Sequence, residues 1–175
     1  MNLGRQRRTE GVFARLWRYR FHDRWLVEGD VHTVARAMRR PQDIPRWWPC
    51  FRHVAIECSG GEDGRDCEFE ARIKGRMPYV LRLAFQIDEV SFPHRYHTEV
   101  RGDLEGQGSG RLTQRGNQVQ IDFRLDVRII RKSLRLLYAL AHPLGFWQHN
   151  GVMQNGEAGL RRRLAAGASI AAGAG

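Results

Sequence analysis

His149 is the side chain in this sequence best placed to do chemistry. It lies midway along the run from Ser133 to Leu164, where apolar residues recur at about 100° per residue. Leu134, Leu137, Tyr138, Ala141, Gly145, Val152, Met153, Gly156, Leu160 and Leu164 share its face. A histidine on such a stripe is either a satisfied core residue or a general base. A base needs its substrate within hydrogen-bond reach and often an orienting partner. The inward strand positions offer two carboxylates at most, Asp23 and Glu57, depending on bulges; Glu157 lies at the edge of the helical stripe. A carboxylate hydrogen-bonded to His149 favours an enzyme, and its absence favours a carrier. Tyr79, Tyr96, Thr98 and Cys67 are handles for a ligand's hydroxyl or carbonyl, and Tyr79 and Tyr96 join His149 as catalytic candidates. Asp103 and Glu105 are paired acids that read as a solvated strand end. His94 and His97, three apart on a strand, point to opposite faces and cannot share a metal. No cluster has zinc spacing and no phosphate-binding glycine loop precedes a helix, so neither a metal nor a cofactor is expected.

The element that carries His149 must bury its stripe. One C-terminal helix from Ser133 to about Leu164 is expected, kinked at Pro143. Arg131, Arg135, Gln148, Gln154, Arg161 and Arg162 fall on its solvated side. Gly145, Gly151, Gly156 and Gly159 interrupt it, and each costs up to about 1 kcal/mol relative to alanine. Close packing on a sheet and room for a ligand both account for them. Upstream, Tyr19, Phe21, Asp23, Trp25 and Val27 alternate as a first strand, and Asp30 caps a short helix over 31–39. Pro41 and Asp43 open a second short turn, which ends in Ile44-Pro45-Arg46-Trp47-Trp48-Pro49. From Cys50 to Arg131 the period becomes two. Six segments follow, around Val54–Cys58, Cys67–Ile73, Tyr79–Ile87, Tyr96–Val100, Leu112 and Val119–Ile129, with turn signals between them. Such spacing predicts an antiparallel meander with one covered and one solvated face.

The chain has 175 residues, 42% hydrophobic and 27% charged, which suits one soluble globular domain. We expect a basic arm over 1–18, with a short amphipathic helix in it, a domain over 19–165 and a flexible Ala/Gly tail over 166–175. No apolar run approaches the ~18 residues of a membrane span. The N-terminus lacks the apolar core of a secretory signal, so a cytoplasmic location is expected. Three cysteines, Cys50, Cys58 and Cys67, without a paired spacing, read as reduced thiols. Twenty-nine basic residues against 19 acidic ones give a net charge of +10, and all but Lys74 and Lys132 are arginine. Most of that charge alternates in sign along outward strand positions, which weakens the case for a specific nucleic-acid partner. A weak contact of the arginine-rich N-terminus with an anionic surface is the remaining macromolecular expectation.

The order of strand, two short helices, six antiparallel strands and long C-terminal helix resembles the helix-grip fold of the START-like (SRPBCC) superfamily. That superfamily includes START lipid-transfer domains and the polyketide cyclase/dehydrase family. The resemblance covers about 19–164. Ile44 to Pro49 is similar to the family's aromatic segment. Gly102-Asp103-Leu104-Glu105-Gly106-Gln107-Gly108 is similar to its glycine-rich strand entry, and His149-Asn150 through Gly159-Leu160 to its final helix. The implied fold is α+β, with a curved antiparallel sheet of about seven strands around the long helix. The implied function is a cavity between sheet and helix for a hydrophobic molecule such as a lipid, an isoprenoid or a polyketide. The lining would be Cys67, Phe69, Ile73, Tyr79, Leu81, Leu83, Phe85, Tyr96, Thr98, Phe123 and Leu125 from the sheet. Trp47, Trp48, Phe51, His149 and Met153 would complete it. An enzyme of cyclase or dehydratase type acting on such a ligand is the alternative. An interaction protein using its N-terminal arginines is a third reading.

Overall fold

The computed structural model describes residues 17–58, 61, 65–140 and 143–173. The arm therefore lies outside the described residues, apart from Trp17 and Arg18. Seven strands form one sheet: β1 (Arg18–Glu28), β2 (Phe51–Cys58), β3 (Glu68–Ile73), β4 (Leu81–Ser91), β5 (Arg95–Gly102), β6 (Leu104–Arg115) and β7 (Gln118–Ile129). Their spatial order is β1-β7-β6-β5-β4-β3-β2, antiparallel throughout. Strands two to seven follow as a meander, and β1 closes onto the last of them. The step from β1 to the opposite edge is made by α1 (Val31–Met38), a 3₁₀ turn (Pro41–Asp43) and α2 (Ile44–Trp47). Asp30 caps α1 as its type predicts, its carboxylate accepting from the backbone N–H of His32 and Thr33 at 3.0 Å.

Two helical spans, α3 (Lys132–Leu140) and α4 (Pro143–Gly173), occupy the stretch read as one helix, and residues 141 and 142 between them lie outside the described residues. Proline lacks the N–H that a helix interior needs, but it suits a first turn, where that donor has no partner in any case. Pro143 is the first described residue of α4, so the expected kink falls at the edge of what the structure describes. The helix also runs on past Leu164 into the stretch assigned to a tail, where alanine, the strongest helix former, dominates.

β1 pairs with β7 over its whole length without a bulge, Arg18 with Arg128 through Glu28 with Gln118. Its alternation therefore holds, and Tyr19, Trp25 and Val27 are buried. β2 departs from expectation. It is an edge strand with register shifts at both ends, and Ile56 and Cys58 are exposed. A bulge turns side chains away from the face that strict alternation assigns them.

The buried side chains form two clusters. One gathers Tyr19, Phe51, Phe69, Ile73, Leu83, Val127, Ile129, Leu134 and Tyr138. The other gathers Trp25, Val27, Val34, Trp47, Leu112, Ile121, Met153 and Leu160. Two of the helical glycines, Gly156 and Gly159, belong to close packing, whereas Gly145 lines a cavity between the sheet and the helices. A Cβ on Gly156 would sit 2.7 Å from Trp25 Cη2, and one on Gly159 would run into the Trp47 carbonyl oxygen. The indole Nε1 of Trp48 donates to the Val152 carbonyl at 2.8 Å and fixes α2 against α4.

Candidate functional site

A cavity of about 350 Å³ opens between the sheet and the helices. That is within the roughly 300–1,000 Å³ range of small-molecule sites. Fourteen of the sixteen side chains expected to line it do so: Phe69, Ile73, Leu81, Leu83, Phe85, Tyr96, Thr98, Phe123 and Leu125 from the strands, and Trp47, Trp48, Phe51, His149 and Met153 from the helical segments and β2. Their rings form a connected set. Trp25 meets Trp48 at 5.2 Å and Phe123 at 4.5 Å between centroids, Trp48 meets Phe51 at 4.9 Å, and Phe69 stacks on Phe85 at 5.0 Å.

Tyr79 and Cys67 are the two that the structure places elsewhere. Cys67 is buried just ahead of β3, where burial pushes its thiol pKa up. The Tyr79 hydroxyl is bonded to that of Tyr138. Burial first, and then this bond, push the Tyr79 pKa well above the usual tyrosine range. It is Tyr138 that reaches the cavity, together with Tyr19. Burial also raises the pKa of Tyr96, which keeps its hydroxyl protonated and able to donate.

The sequence pattern did not assign Phe21, Ile44, Phe92, Pro93, Gly108 or Ser109 to the cavity, yet all line it, and so does Asp23, one of the two carboxylates that alternation placed inward. Asp23 matters most. Its Oδ2 lies 2.6 Å from His149 Nε2, with side chains 19% and 13% exposed. The imidazole also stacks on Phe21, with ring centroids 3.7 Å apart and 11° between planes. Of the two inward carboxylates that alternation offered, Asp23 is the one in contact with His149. The other carboxylates are placed elsewhere. Glu57 is exposed on β2. Glu157 accepts from Leu26 N at 3.3 Å and from Arg161 at 2.8 Å, joining α4 to β1. Asp103 accepts from Arg82 N at 2.9 Å, and Glu105 pairs with Arg128 at 2.6 Å. His97 bonds Asp88 at 2.7 Å and His94 bonds the Leu112 carbonyl at 3.3 Å, so the two have separate partners. Among the described residues no group of side chains has the composition of a metal site.

Gln148 corrects the helical pattern. It was expected in solvent and is 5% exposed, lining the cavity. Its Oε1 accepts from Met77 N at 3.0 Å, and a Cβ on Gly75 would collide with its amide. The β3–β4 loop thus folds over this side chain. Periodicity along one helix carries no signal for a loop that arrives from elsewhere.

Comparison with solved structures defines the class of fold. A di-domain aromatase/cyclase of the steffimycin biosynthetic pathway matches with a TM-score of 0.64 at 13% identity over 87% of this chain; the chain spans 54% of that protein's length. A START superfamily protein from Mycobacterium smegmatis matches with a TM-score of 0.55 at 14% identity, over 75% of this chain and 97% of that one. Norcoclaurine synthase from Thalictrum flavum, in complex with dopamine and hydroxybenzaldehyde, matches with a TM-score of 0.59 at 12% identity, over 95% of each. The architecture is the START-like helix-grip fold. No family model and no curated protein matches the chain.

Proposed function

We propose that this protein binds a hydrophobic small molecule, of lipid, isoprenoid or polyketide-like size and polarity, between the sheet and α4. One observation carries the reading: a cavity of about 350 Å³ walled almost entirely by aromatic and aliphatic side chains. A closed core of the same residues would leave no such volume, since protein interiors pack to near-crystalline density. The ring faces of Trp48, Phe69, Phe85 and Phe123 give apolar area, and Thr98, Tyr96 and His149 supply the few polar contacts that orient a ligand. One solved neighbour with this fold, norcoclaurine synthase, is in complex with dopamine and hydroxybenzaldehyde, which supports a small-molecule use of the fold here.

Native mass spectrometry of the purified protein, followed by denaturing extraction, tests this reading. The expected result is an apolar molecule carried through purification in near-stoichiometric amount, or saturable uptake of one from a panel of lipids, isoprenoids and polyketides. A clean apo mass with no uptake across the panel contradicts it. A second reading, an enzyme acting on the bound molecule, is favoured by the Asp23 carboxylate on His149.

A further inference from the structure

The Asp23–His149 pair sits where β1 and α4 meet at the cavity wall. Asp23 is the only carboxylate among the described lining residues. A carboxylate accepts and does not donate, so a neutral imidazole beside it must carry its proton on Nε2. Nδ1 is then left with its lone pair. Among the described residues no hydrogen bond occupies that nitrogen. Phe21 stacked on one face restrains the ring's rotation, and the carboxylate fixes its tilt. Sequence distance makes the arrangement informative: the two residues are 126 positions apart, on different elements, both mostly buried. An ion pair serving stability alone gains little from the edge of an apolar cavity, where desolvation opposes it.

We propose that His149 is a general base for the molecule bound in the cavity, that Asp23 positions it, and that the substrates are apolar compounds with an enolisable carbonyl. This rests on the cavity reading above. In the step, the C–H bond next to the carbonyl breaks and its proton goes to Nδ1. The electron pair forms the enolate, whose charge collects on oxygen. Asp23 offsets the charge of the new imidazolium through Nε2–H. The imidazolium then returns a proton to the enolate, so the turnover is an exchange or an isomerisation and needs no oxidant or reductant. The protonated Tyr96 hydroxyl is a donor in the same cavity for the enolate oxygen.

The test uses β-tetralone, a neutral bicyclic ketone with activated α-hydrogens. Its exchange in deuterium oxide is followed by proton NMR with the full chain present, and its binding is read from line broadening in the same samples. The expected result is exchange faster than in buffer, saturating with ketone. His149→Phe and His149→Gln should both lose about a hundredfold or more of that rate, the ordinary span of acid–base catalysis. Asp23→Asn should lose at least about tenfold, and Asp23→Glu should recover part, with each variant still folded and the rate compared at saturating β-tetralone. Bound β-tetralone that exchanges no faster than in buffer, or a His149 variant that keeps the wild-type rate, overturns the proposal and leaves the cavity reading standing. A protein that takes up no β-tetralone overturns the proposal for this class of ketone, and the panel of lipids, isoprenoids and polyketides then decides whether the cavity reading stands.

Discussion

A single atom decides several contacts in this molecule. Gly159 faces the Trp47 carbonyl at the crossing of α2 and α4, with no room for a methyl group. Gly159→Ala should therefore destabilise the fold by about 1–3 kcal/mol, the usual cost of overpacking, although alanine favours helix. Thermal unfolding measures this, and an unchanged or raised melting temperature would contradict the packing described. The same scale shows what the sequence can and cannot convey. Asp23 lay on the inward face of β1 by simple alternation, and the unbroken register with β7 keeps it there. Its contact with a side chain 126 residues away was not legible, because alternation assigns a face and not a neighbour. Gln148 was misassigned for a related reason: the loop that buries it belongs to another part of the chain.

At the scale of elements, the charge on the outer face of β1 and β7 is organised as a ladder. Arg18 and Arg20 approach Asp126 at 2.6 and 3.1 Å, and Arg24 approaches Asp122 at 3.0 Å. Hydrogen bonds from Arg18 hold Asp126 below the usual carboxylate range. A depressed folded pKa means that the stabilisation is complete above the unfolded aspartate value of about 3.9. It is lost as the pH falls through the folded value. The melting temperature should therefore drop below about pH 4, modestly because the pairs are partly exposed. Asp126→Asn should flatten that drop, and a variant with the wild-type slope would contradict the assignment. Element identity was largely legible, since the change of period from 3.6 to 2 and back marks where helices and strands begin. Element ends were not. The alanine-rich end was read for its lack of packing, and its helix propensity carries α4 past Leu164.

At the scale of the whole molecule, β1 and β2 lie at opposite edges of one sheet, and α1 and α2 carry the chain between them. The long helix α4 then packs back on β1, α1 and α2. Large rings at the centre of this arrangement meet at 4.5 to 5.2 Å and leave a space beside them that they do not fill. The chain order of strand, short helices, meander and long helix made this architecture legible. The volume of the cavity was not, because one list of apolar residues describes a filled core and a lined pocket equally well. Occupancy of that space is the central claim, and titration with the neutral dye N-phenylnaphthylamine tests it most directly. The wild-type protein should bind one equivalent with a large rise in fluorescence. Gly108→Leu, which projects into the lining beside Thr98, and Leu125→Trp should abolish the rise while the chain still unfolds cooperatively. Equal binding by wild type and both filled variants would place the dye elsewhere and contradict the account.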